Sequence, residues 1–162
     1  MEVQALQKNP IFNYFDMLSM AQKSYGKLLA PLCREEALTR NELDVLLFLP
    51  NNPGYARAAD IVAHRGMTKS HVSLSVANLE QRQLLRRNFD PMDRRTAHLE
   101  LTEAGKTIAL RARKLQEQYF DALYRGVSEE EFAAWKRFTA TVYENIRQLD
   151  GVLSAEENPN KR

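Results

Sequence analysis

The sequence has few of the residues that mark several large classes of protein. Its 162 residues include one cysteine, Cys33, so no disulfide can form within the chain, and this cysteine usage fits a reducing compartment. No apolar run approaches the roughly 18 residues of a membrane span. The first residues show no basic segment followed by an apolar one, so we expect no signal peptide. We therefore expect a cytoplasmic globular protein, long enough for one domain with its own core.

Motifs that carry catalysis are also missing from the sequence. We find no Ser/His/Asp arrangement, no glycine-rich phosphate loop and no pair of carboxylates placed for acid–base chemistry, so we predict that the protein is not an enzyme. The three histidines, His64, His71 and His98, do not have the spacing of metal ligands, and no second cysteine joins them. We predict neither a metal nor a cofactor.

Positive charge is concentrated in one segment, although the whole chain carries a net charge of only +2. Residues 64–98 contain seven basic and three acidic side chains, whereas residues 1–63 and 103–162 are each close to neutral. A local excess of Lys and Arg is the electrostatic footprint of an element that binds a polyanion. A mildly basic surface without a ligand is the alternative interpretation of this charge pattern.

Helical periodicity extends over most of the chain. Apolar residues recur at spacings of three and four from Ile11 to Leu32 and in the two stretches that follow Thr102 and Ser128. A further helix is predicted after Thr39, where Glu42 completes a capping box. The fold class is therefore mainly α.

A helix-turn-helix pattern occupies the middle of the chain. A short helix that ends near His64 is followed by a tight turn, in which Gly66 is free to take a positive φ. Thr68 then caps a longer helix that has one apolar face and small polar residues on the other faces. A helix, a short turn that contains glycine and a second helix are typical of this DNA-binding motif.

Two short strands follow the helix-turn-helix. The stretches LLRRNF and RTAHLEL alternate apolar and polar residues around DPMD, in which Asp90 and Pro91 suit the start of a type I turn. A hairpin at this place in the chain is a wing. Gln83 lies at the helix end before the first strand, where a residue other than glycine can adopt the left-handed conformation at a modest cost.

The order of these elements resembles the MarR family of transcriptional regulators. The resemblance extends from about Ile11 to Leu149 and depends on MTKSHVSLSVANLEQRQLL and DPMDRRTAHLELTEAG. The wing pattern is its specific part: Asp, any residue and Arg, then Leu-Thr and a glycine three residues further on. These residues are Asp93, Arg95, Leu101, Thr102 and Gly105.

The resemblance implies a fold and a division of the chain. We expect residues 1–162 to form a single mainly α domain with a small β-wing, in which the winged helix-turn-helix covers 39–102. Residues 10–34 and 103–150 would form the dimerisation helices of a homodimer, and 151–162 a disordered tail. The aromatic residues of these helices favour a dimer independently, because they exceed what one small subunit is expected to bury. A monomer that buries all of them remains the alternative.

The resemblance also implies sequence-specific binding to a pseudo-palindromic site on double-stranded DNA. The candidate residues lie on the second helix of the motif and on the wing: Thr68, Lys69, Ser70, His71, Ser73, Leu74, Asn78, Arg94 and Arg95. Residues at the start of a recognition helix reach base edges or phosphates, and Leu74 is suited to a thymine methyl group. Arg95 matches the family's wing arginine, and Asp93 is expected to orient it.

Three questions about function stay open at this point. The family implies a repressor that a small, often aromatic and anionic effector releases from DNA, with Tyr25 near the expected pocket, but an activator has the same sequence features. A winged-helix module that binds protein would need no basic residues on both helix and wing. Cys33 beside Arg34 is a candidate redox sensor, although Glu35 and Glu36 follow it.

The wing assignment predicts the effects of two substitutions on DNA binding. Arg95→Ala should weaken binding by roughly 1–3 kcal/mol, because one minor-groove contact is lost in each subunit. Asp93→Ala should also weaken binding, although it makes the protein more basic, because the Arg95 guanidinium loses its orienting carboxylate. Fluorescence anisotropy at fixed salt measures both effects, and circular dichroism checks folding. Tighter binding by Asp93→Ala would show that Asp93 is a turn residue only.

Overall fold

A computed structural model describes residues 14–89 and 97–157 of the chain. These residues form six helices and one antiparallel pair of strands, which confirms the predicted mainly α class with a small β-wing. In chain order the elements are α1 (Tyr14–Glu35), α2 (Arg40–Asn51), α3 (Ala58–Arg65), α4 (Lys69–Gln81), β1 (Leu85–Phe89), β2 (Ala97–Leu101), α5 (Glu103–Leu123) and α6 (Glu129–Glu157).

The chain divides into two compact units, Met1–Asp121 and Ala122–Arg162, and the boundary falls near the end of α5. In the first unit, α1 to α5 and both strands contribute to one hydrophobic core. Its largest fully buried side chains are Phe48, Leu29, Leu43, Leu46, Leu47, Ile61, Leu79 and Leu85. Each of these contributes about 1.5–3 kcal/mol by removing apolar surface from water, and together they fix the helix-turn-helix on α2.

Local capping boxes set the starts of α2, as predicted, and of α6. The Thr39 hydroxyl accepts from the Glu42 amide at 3.2 Å, and the Thr39 amide donates to the Glu42 carboxylate at 2.7 Å. At the start of α6, the Ser128 amide donates to the Glu131 carboxylate at 2.8 Å, and the Glu131 amide donates back to the Ser128 hydroxyl at 3.2 Å. Each box satisfies amides that would lack a partner within the helix.

The two strands form the predicted hairpin. They pair in antiparallel register from Leu85 opposite Leu101 to Phe89 opposite Ala97. Leu85, Leu99 and Leu101 are buried, but Phe89 at the outer end is 56% exposed, because the sheet extends beyond the core there. The predicted turn DPMD lies outside the described residues.

The corner between β2 and α5 explains the Leu-Thr and glycine of the wing pattern. The Thr102 hydroxyl donates to the carbonyl of Gln83 at 2.7 Å and accepts from the Gly105 amide at 3.2 Å. The Thr102 amide donates to the carbonyl of Leu84 at 3.2 Å. A Cβ on Gly105 would lie 2.0 Å from the Leu84 carbonyl oxygen, so only glycine allows this approach.

The second unit consists mainly of α6. Tyr124, Phe132 and Trp135 contact one another near its start, with the Tyr124 and Phe132 ring centroids 5.1 Å apart and those of Phe132 and Trp135 5.6 Å apart. Further along this helix, the apolar residues Ile146 and Leu149 are 56% and 61% exposed.

The last helix continues beyond residue 150, where we predicted that a disordered tail begins. It runs to Glu157, and residues 158–162 lie outside the described part of the chain. Extending an existing helix adds one hydrogen bond per residue without a new nucleation cost, so a polar sequence can remain helical at the end of a long helix.

Gly105→Ala should lower the free energy of unfolding by about 2–4 kcal/mol, because the Leu84 carbonyl must move away from the added methyl group. Gly26→Ala in α1 is the matched control, since its Cβ would lie 3.6 Å from the Arg40 guanidinium, an ordinary contact. It should stabilise the protein by roughly 0.5–1 kcal/mol through helix propensity. Urea unfolding followed by circular dichroism measures both, and equal stability of the two variants would contradict the close approach at Gly105.

Candidate nucleic-acid interface

Helix α4 is held on one side and exposed on the other. Val72, Ser75, Val76 and Leu79 are buried, as the apolar face predicted. The opposite surface carries the exposed residues Lys69, Ser70, His71, Ser73 and Leu74, and Leu74 is 62% exposed. This exposure leaves Leu74 accessible for the predicted contact with a thymine methyl group.

The N-terminal end of α4 has the geometry predicted from Thr68. This residue has an extended backbone, and its hydroxyl accepts from the His71 amide at 3.2 Å. A second hydrogen bond of 3.0 Å joins the hydroxyl groups of Thr68 and Ser70. Gly66 adopts a φ of 63° in the preceding turn, as expected. The cap fixes the exposed residues relative to the helix dipole, whose positive end favours anions here.

Asn78 differs from the other candidates on α4, because its side chain is partly buried. Its amide nitrogen donates to Oε1 of Glu42 at 2.9 Å, across the packing between α2 and α4. The amide donor is therefore already engaged inside the protein. Contact between Asn78 and DNA stays a prediction, whereas the hydrogen bond gives Asn78 a place in fixing α4 against α2.

Glu42 is the partner that sequence reasoning missed, since the capping box was its only predicted role. Its carboxylate is 4% exposed and accepts from Thr39 on one side and Asn78 on the other. Burial acts to raise the pKa of Glu42, but the hydrogen bonds from Thr39 and Asn78 and the positive charge of Arg82 hold this pKa below its ordinary value. Glu42 is thus a buried anion stabilised by its hydrogen bonds.

Several of the basic residues counted in the charged segment bind groups of the protein itself. Arg86 pairs with Glu100 at 2.8 Å, and Arg87 lies 3.4 Å from Glu80. Arg82 donates to two backbone carbonyls. Lys69 has no ion-pair partner among the described residues, which leaves its ammonium group available to a phosphate.

The wing tip carries the remaining three candidate residues of the predicted DNA interface. Asp93, Arg94 and Arg95 lie outside the described residues, so their contacts with DNA and the orienting role of Asp93 remain predictions. The hairpin that carries them is described as far as Phe89 and again from Ala97, and it follows α4 directly.

A cavity of about 670 Å³ lies beside α4, between α3 and the two strands. Its walls are mainly apolar, and they include the basic residues Arg57, Lys69 and Arg87. The expected effector pocket has a different location, between the dimerisation helices and the winged domain. The surface next to α4 is therefore concave, and the side chains of Arg57, Lys69 and Arg87 give it positive charge.

The region around Tyr25 joins α1, α2 and α5. Its ring lies 4.8 Å beneath the Arg40 guanidinium and 5.2 Å from the ring of Tyr119. Tyr119 donates to the carbonyl of Ala21 at 2.8 Å. Burial raises the pKa of the Tyr25 hydroxyl. Tyr25 therefore packs in a half-buried aromatic cluster, which is compatible with a core residue and with a pocket wall.

The remaining candidates from the sequence are Cys33 for redox sensing and the histidines for metal binding. Cys33 is half-buried against the core, and this burial raises the pKa of its thiol, which reduces the thiolate fraction at neutral pH. His64 contacts the ring of Tyr55, with centroids 4.6 Å apart. Within residues 14–89 and 97–157, no group of three or more His, Cys, Asp or Glu residues could hold a metal ion. None of the helices in these ranges is long and apolar enough to cross a membrane.

The fold and the exposed helix define a winged helix-turn-helix protein. Residues 38–96 match the model of the MarR family, and these residues include α2, α3, α4 and β1. This segment therefore resembles the MarR family of transcriptional regulators, as the sequence motifs also indicated. No protein with a curated description matches the chain.

Solved structures of MarR-family regulators and other DNA-binding proteins are similar to this chain in fold. A MarR-family regulator from Silicibacter pomeroyi is 18% identical, with 90% of this chain and 97% of that chain covered at a TM-score of 0.74. BpsR from Bordetella bronchiseptica, whose DNA binding is regulated by 6-hydroxynicotinic acid, is 22% identical, with 79% and 96% covered at 0.61. CouR from Rhodococcus jostii, bound to p-coumaroyl-CoA, is 22% identical, with 86% and 94% covered at 0.68. At these identities the likeness shows the fold alone.

Glu42→Gln should be about 1–3 kcal/mol less stable than the wild type at pH 7, because the neutral amide cannot accept from both Thr39 and Asn78 as the carboxylate does. The folded pKa of Glu42 lies below its unfolded value of about 4.3, so its contribution is present above that pH and is lost as the pH falls through the folded pKa. Urea midpoints between pH 7 and pH 3 should therefore converge for the two proteins.

The control for this measurement is Glu117→Gln, which removes an exposed carboxylate from the Arg113 ion pair on α5. It should change stability by less than about 0.5 kcal/mol at pH 7. If Glu42→Gln follows Glu117→Gln at every pH, the buried hydrogen bonds of Glu42 do not stabilise the fold.

Proposed function

We propose that the protein is a sequence-specific regulator that binds double-stranded DNA as a homodimer and acts as a repressor released by a small aromatic effector. The observation that carries this proposal is the construction of α4. One face is buried, its N-terminal end is capped by Thr68, and Lys69, Ser70, His71, Ser73 and Leu74 stand in solvent. Such a helix fits the major groove, where its N-terminal residues meet base edges.

The exposed side chains of α4 differ in the contacts they can supply. Lys69 neutralises a phosphate and so sets register without reading sequence. Ser70, His71 and Ser73 offer hydrogen-bonding groups to base edges, and Leu74 offers an apolar surface to a thymine methyl group. The predicted wing arginines would add a minor-groove contact beside the same site.

The homodimer is supported by apolar surface that the single chain leaves exposed. In α1, Phe15, Met17 and Met20 are 77%, 54% and 71% exposed. In α6, Phe138 and Tyr143 are 60% and 62% exposed. Large apolar side chains repeated along a helix face are expected at a permanent interface. A twofold dimer would present two α4 helices to a pseudo-palindromic DNA site.

Two solved structures with the same fold support the proposed effector class. The BpsR structure describes regulation of DNA binding by 6-hydroxynicotinic acid, and CouR is bound to p-coumaroyl-CoA. Both ligands carry an aromatic ring and acidic groups. The aromatic cluster of Tyr25, Tyr119 and Phe120, with Arg40 over the Tyr25 ring, has groups that suit such a ligand. We place this function in the cytoplasm.

The alternative functions have less support. A winged-helix module that binds protein does not require a capped polar helix with Lys69 at its exposed end. Redox sensing through Cys33 requires a reactive thiolate, whereas burial raises the pKa of this thiol. The proposed function therefore rests on α4 and not on the cysteine.

DNA binding is tested by selecting duplexes from a random-sequence pool with the wild-type protein. The selected sites should be pseudo-palindromic, with half-sites about 10 bp apart, because two α4 helices of a dimer meet successive turns of the major groove. The logarithm of the binding constant should fall steeply and linearly with the logarithm of the salt concentration, as phosphate counterions are released. Sedimentation at the same protein concentration should show a dimer.

Lys69→Ala should reduce the salt slope by roughly 1 for each subunit and weaken binding to all sequences alike. Lys106→Ala is the matched control, since its ammonium group pairs with Glu103 on α5 at 2.7 Å. His71→Ala should instead change the order of preference among selected sites. A flat salt response, with no sequence enriched, would exclude DNA binding and favour a protein-binding module.

A further inference from the structure

Arg82, the residue that follows α4, forms hydrogen bonds with the segment between α1 and α2. The Arg82 guanidinium donates from Nη1 to the carbonyl oxygen of Ala37 at 2.8 Å and from Nη2 to that of Glu36 at 2.6 Å. These carbonyls belong to the α1–α2 corner, the segment of residues 35–39 that joins the two helices. The planar fork of Arg82 thus holds two adjacent carbonyls at once, a geometry that a single ammonium group cannot reproduce.

The α1–α2 corner has a backbone conformation that needs support. Ala37 adopts a φ of 49°, in the left-handed region that disfavours residues with a Cβ. The Leu38 amide closes the end of α1 by donating to the carbonyl of Cys33 at 2.8 Å. The Leu38 amide is thus directed into α1. The carbonyls of Glu36 and Ala37 accept hydrogen bonds from Arg82, which lies outside this segment.

A second arginine holds the same corner from α5. The Arg111 guanidinium pairs with the carboxylates of Glu35, at 2.6 Å, and Glu36. Glu36 therefore receives Arg111 on its side chain and Arg82 on its carbonyl. Through this residue, the end of α4 is connected to both α1 and α5, the helices that we propose to contribute to dimerisation.

The location of Arg82 matters because α4 is short and reads DNA at its other end. A helix of 13 residues is about 20 Å long, so a tilt of about 3° around its C-terminal end moves the N-terminal residues by roughly 1 Å. A displacement of that size disrupts bidentate hydrogen bonds to a base edge but leaves contacts of a flexible lysine with phosphate nearly intact.

We propose that Arg82 is a positioning residue for sequence reading, and that its double hydrogen bond to the α1–α2 corner sets the orientation of α4. This proposal rests on the proposed DNA-binding function. It assigns to Arg82 no contact with DNA, in contrast to the interpretation of its charge as part of a polyanion-binding surface. Because Arg111 on α5 forms ion pairs with Glu35 and Glu36, the orientation of α4 also depends on the positions of α1 and α5.

The test compares wild type, Arg82→Lys and Arg82→Met on two duplexes, the one selected by the wild type and a scrambled duplex of equal composition. Arg82→Lys keeps the charge but loses the fork. Both variants should lose about tenfold or more in the ratio of affinities for the selected and the scrambled duplex. Arg82→Lys should bind the scrambled duplex within about twofold of wild type, with an unchanged salt slope.

Two further variants separate orientation from general stability. Arg113→Lys is the matched control, because Arg113 forms an exposed pair with Glu117 on α5, and it should keep the wild-type ratio. Ala37→Gly relieves the left-handed strain, so the double variant Ala37→Gly/Arg82→Lys should recover melting temperature without recovering the affinity ratio. Recovery of the ratio together with the melting temperature would reduce Arg82 to a stabilising residue.

Other outcomes distinguish the remaining explanations. If Arg82→Lys keeps the wild-type ratio while Arg82→Met binds both duplexes more weakly with a smaller salt slope, Arg82 contacts phosphate and the positioning role is wrong. If both variants keep the ratio and the slope, the double hydrogen bond does not orient α4. A wild-type protein that selects no sequence would overturn the proposed function itself, and with it the role of Arg82.

Discussion

The C-terminal end of α4 is the point at which the first unit is tied together by polar contacts. Gln83 adopts a left-handed φ of 56° there, which ends the helix and turns the chain into β1. Its carbonyl is taken by Thr102, and the next carbonyl, that of Leu84, lies against Gly105 at the start of α5. Every buried carbonyl needs such a partner, because an unpaired one loses its hydration without compensation. The end of one helix thus fixes where the strands and the next long helix begin.

The need of buried polar groups for hydrogen-bond partners separates the polar contacts of α4 into two groups. Towards the interior, Asn78 and Arg82 use their donors on Glu42 and on the α1–α2 corner. Towards solvent, the exposed residues near the N-terminal end have only local partners, such as the bond between Thr68 and Ser70. A buried charge such as Glu42 is tolerated because it is fully hydrogen-bonded, and its loss would leave the Asn78 donor without an acceptor. The inner group holds the helix, and the outer group is left for a ligand.

Large apolar side chains are buried in the core of the first unit but exposed along α1 and α6. The core of the first unit is closed, with Phe48, Leu43 and Leu79 fully buried. In contrast, large apolar side chains stay in solvent along α1 and α6, which is costly for a chain that remains alone in water. The proposed homodimer accounts for this difference, and the connection of Arg111 to Glu35 and Glu36 would then relate the arrangement of the dimerisation helices to the orientation of α4.

Local chemistry in the sequence determined the helices, their caps and the hairpin. The boxes of Thr39 with Glu42 and Ser128 with Glu131, the cap at Thr68 and the left-handed Gln83 all depend on residues within a few positions of one another. Such contacts join neighbouring residues, so spacing and residue type predict them.

The tertiary structure alone decided which polar side chains point inward. Asn78 meets Glu42 over 36 residues, and Arg82 meets Ala37 over 45, so periodicity could not distinguish them from solvent-exposed or DNA-binding residues. Along α6, the apolar stripe predicts that a surface will be covered, but it does not tell whether the same chain or a partner covers it. Contacts between distant segments depend on how the core brings helices together, and that information is not contained in any local pattern.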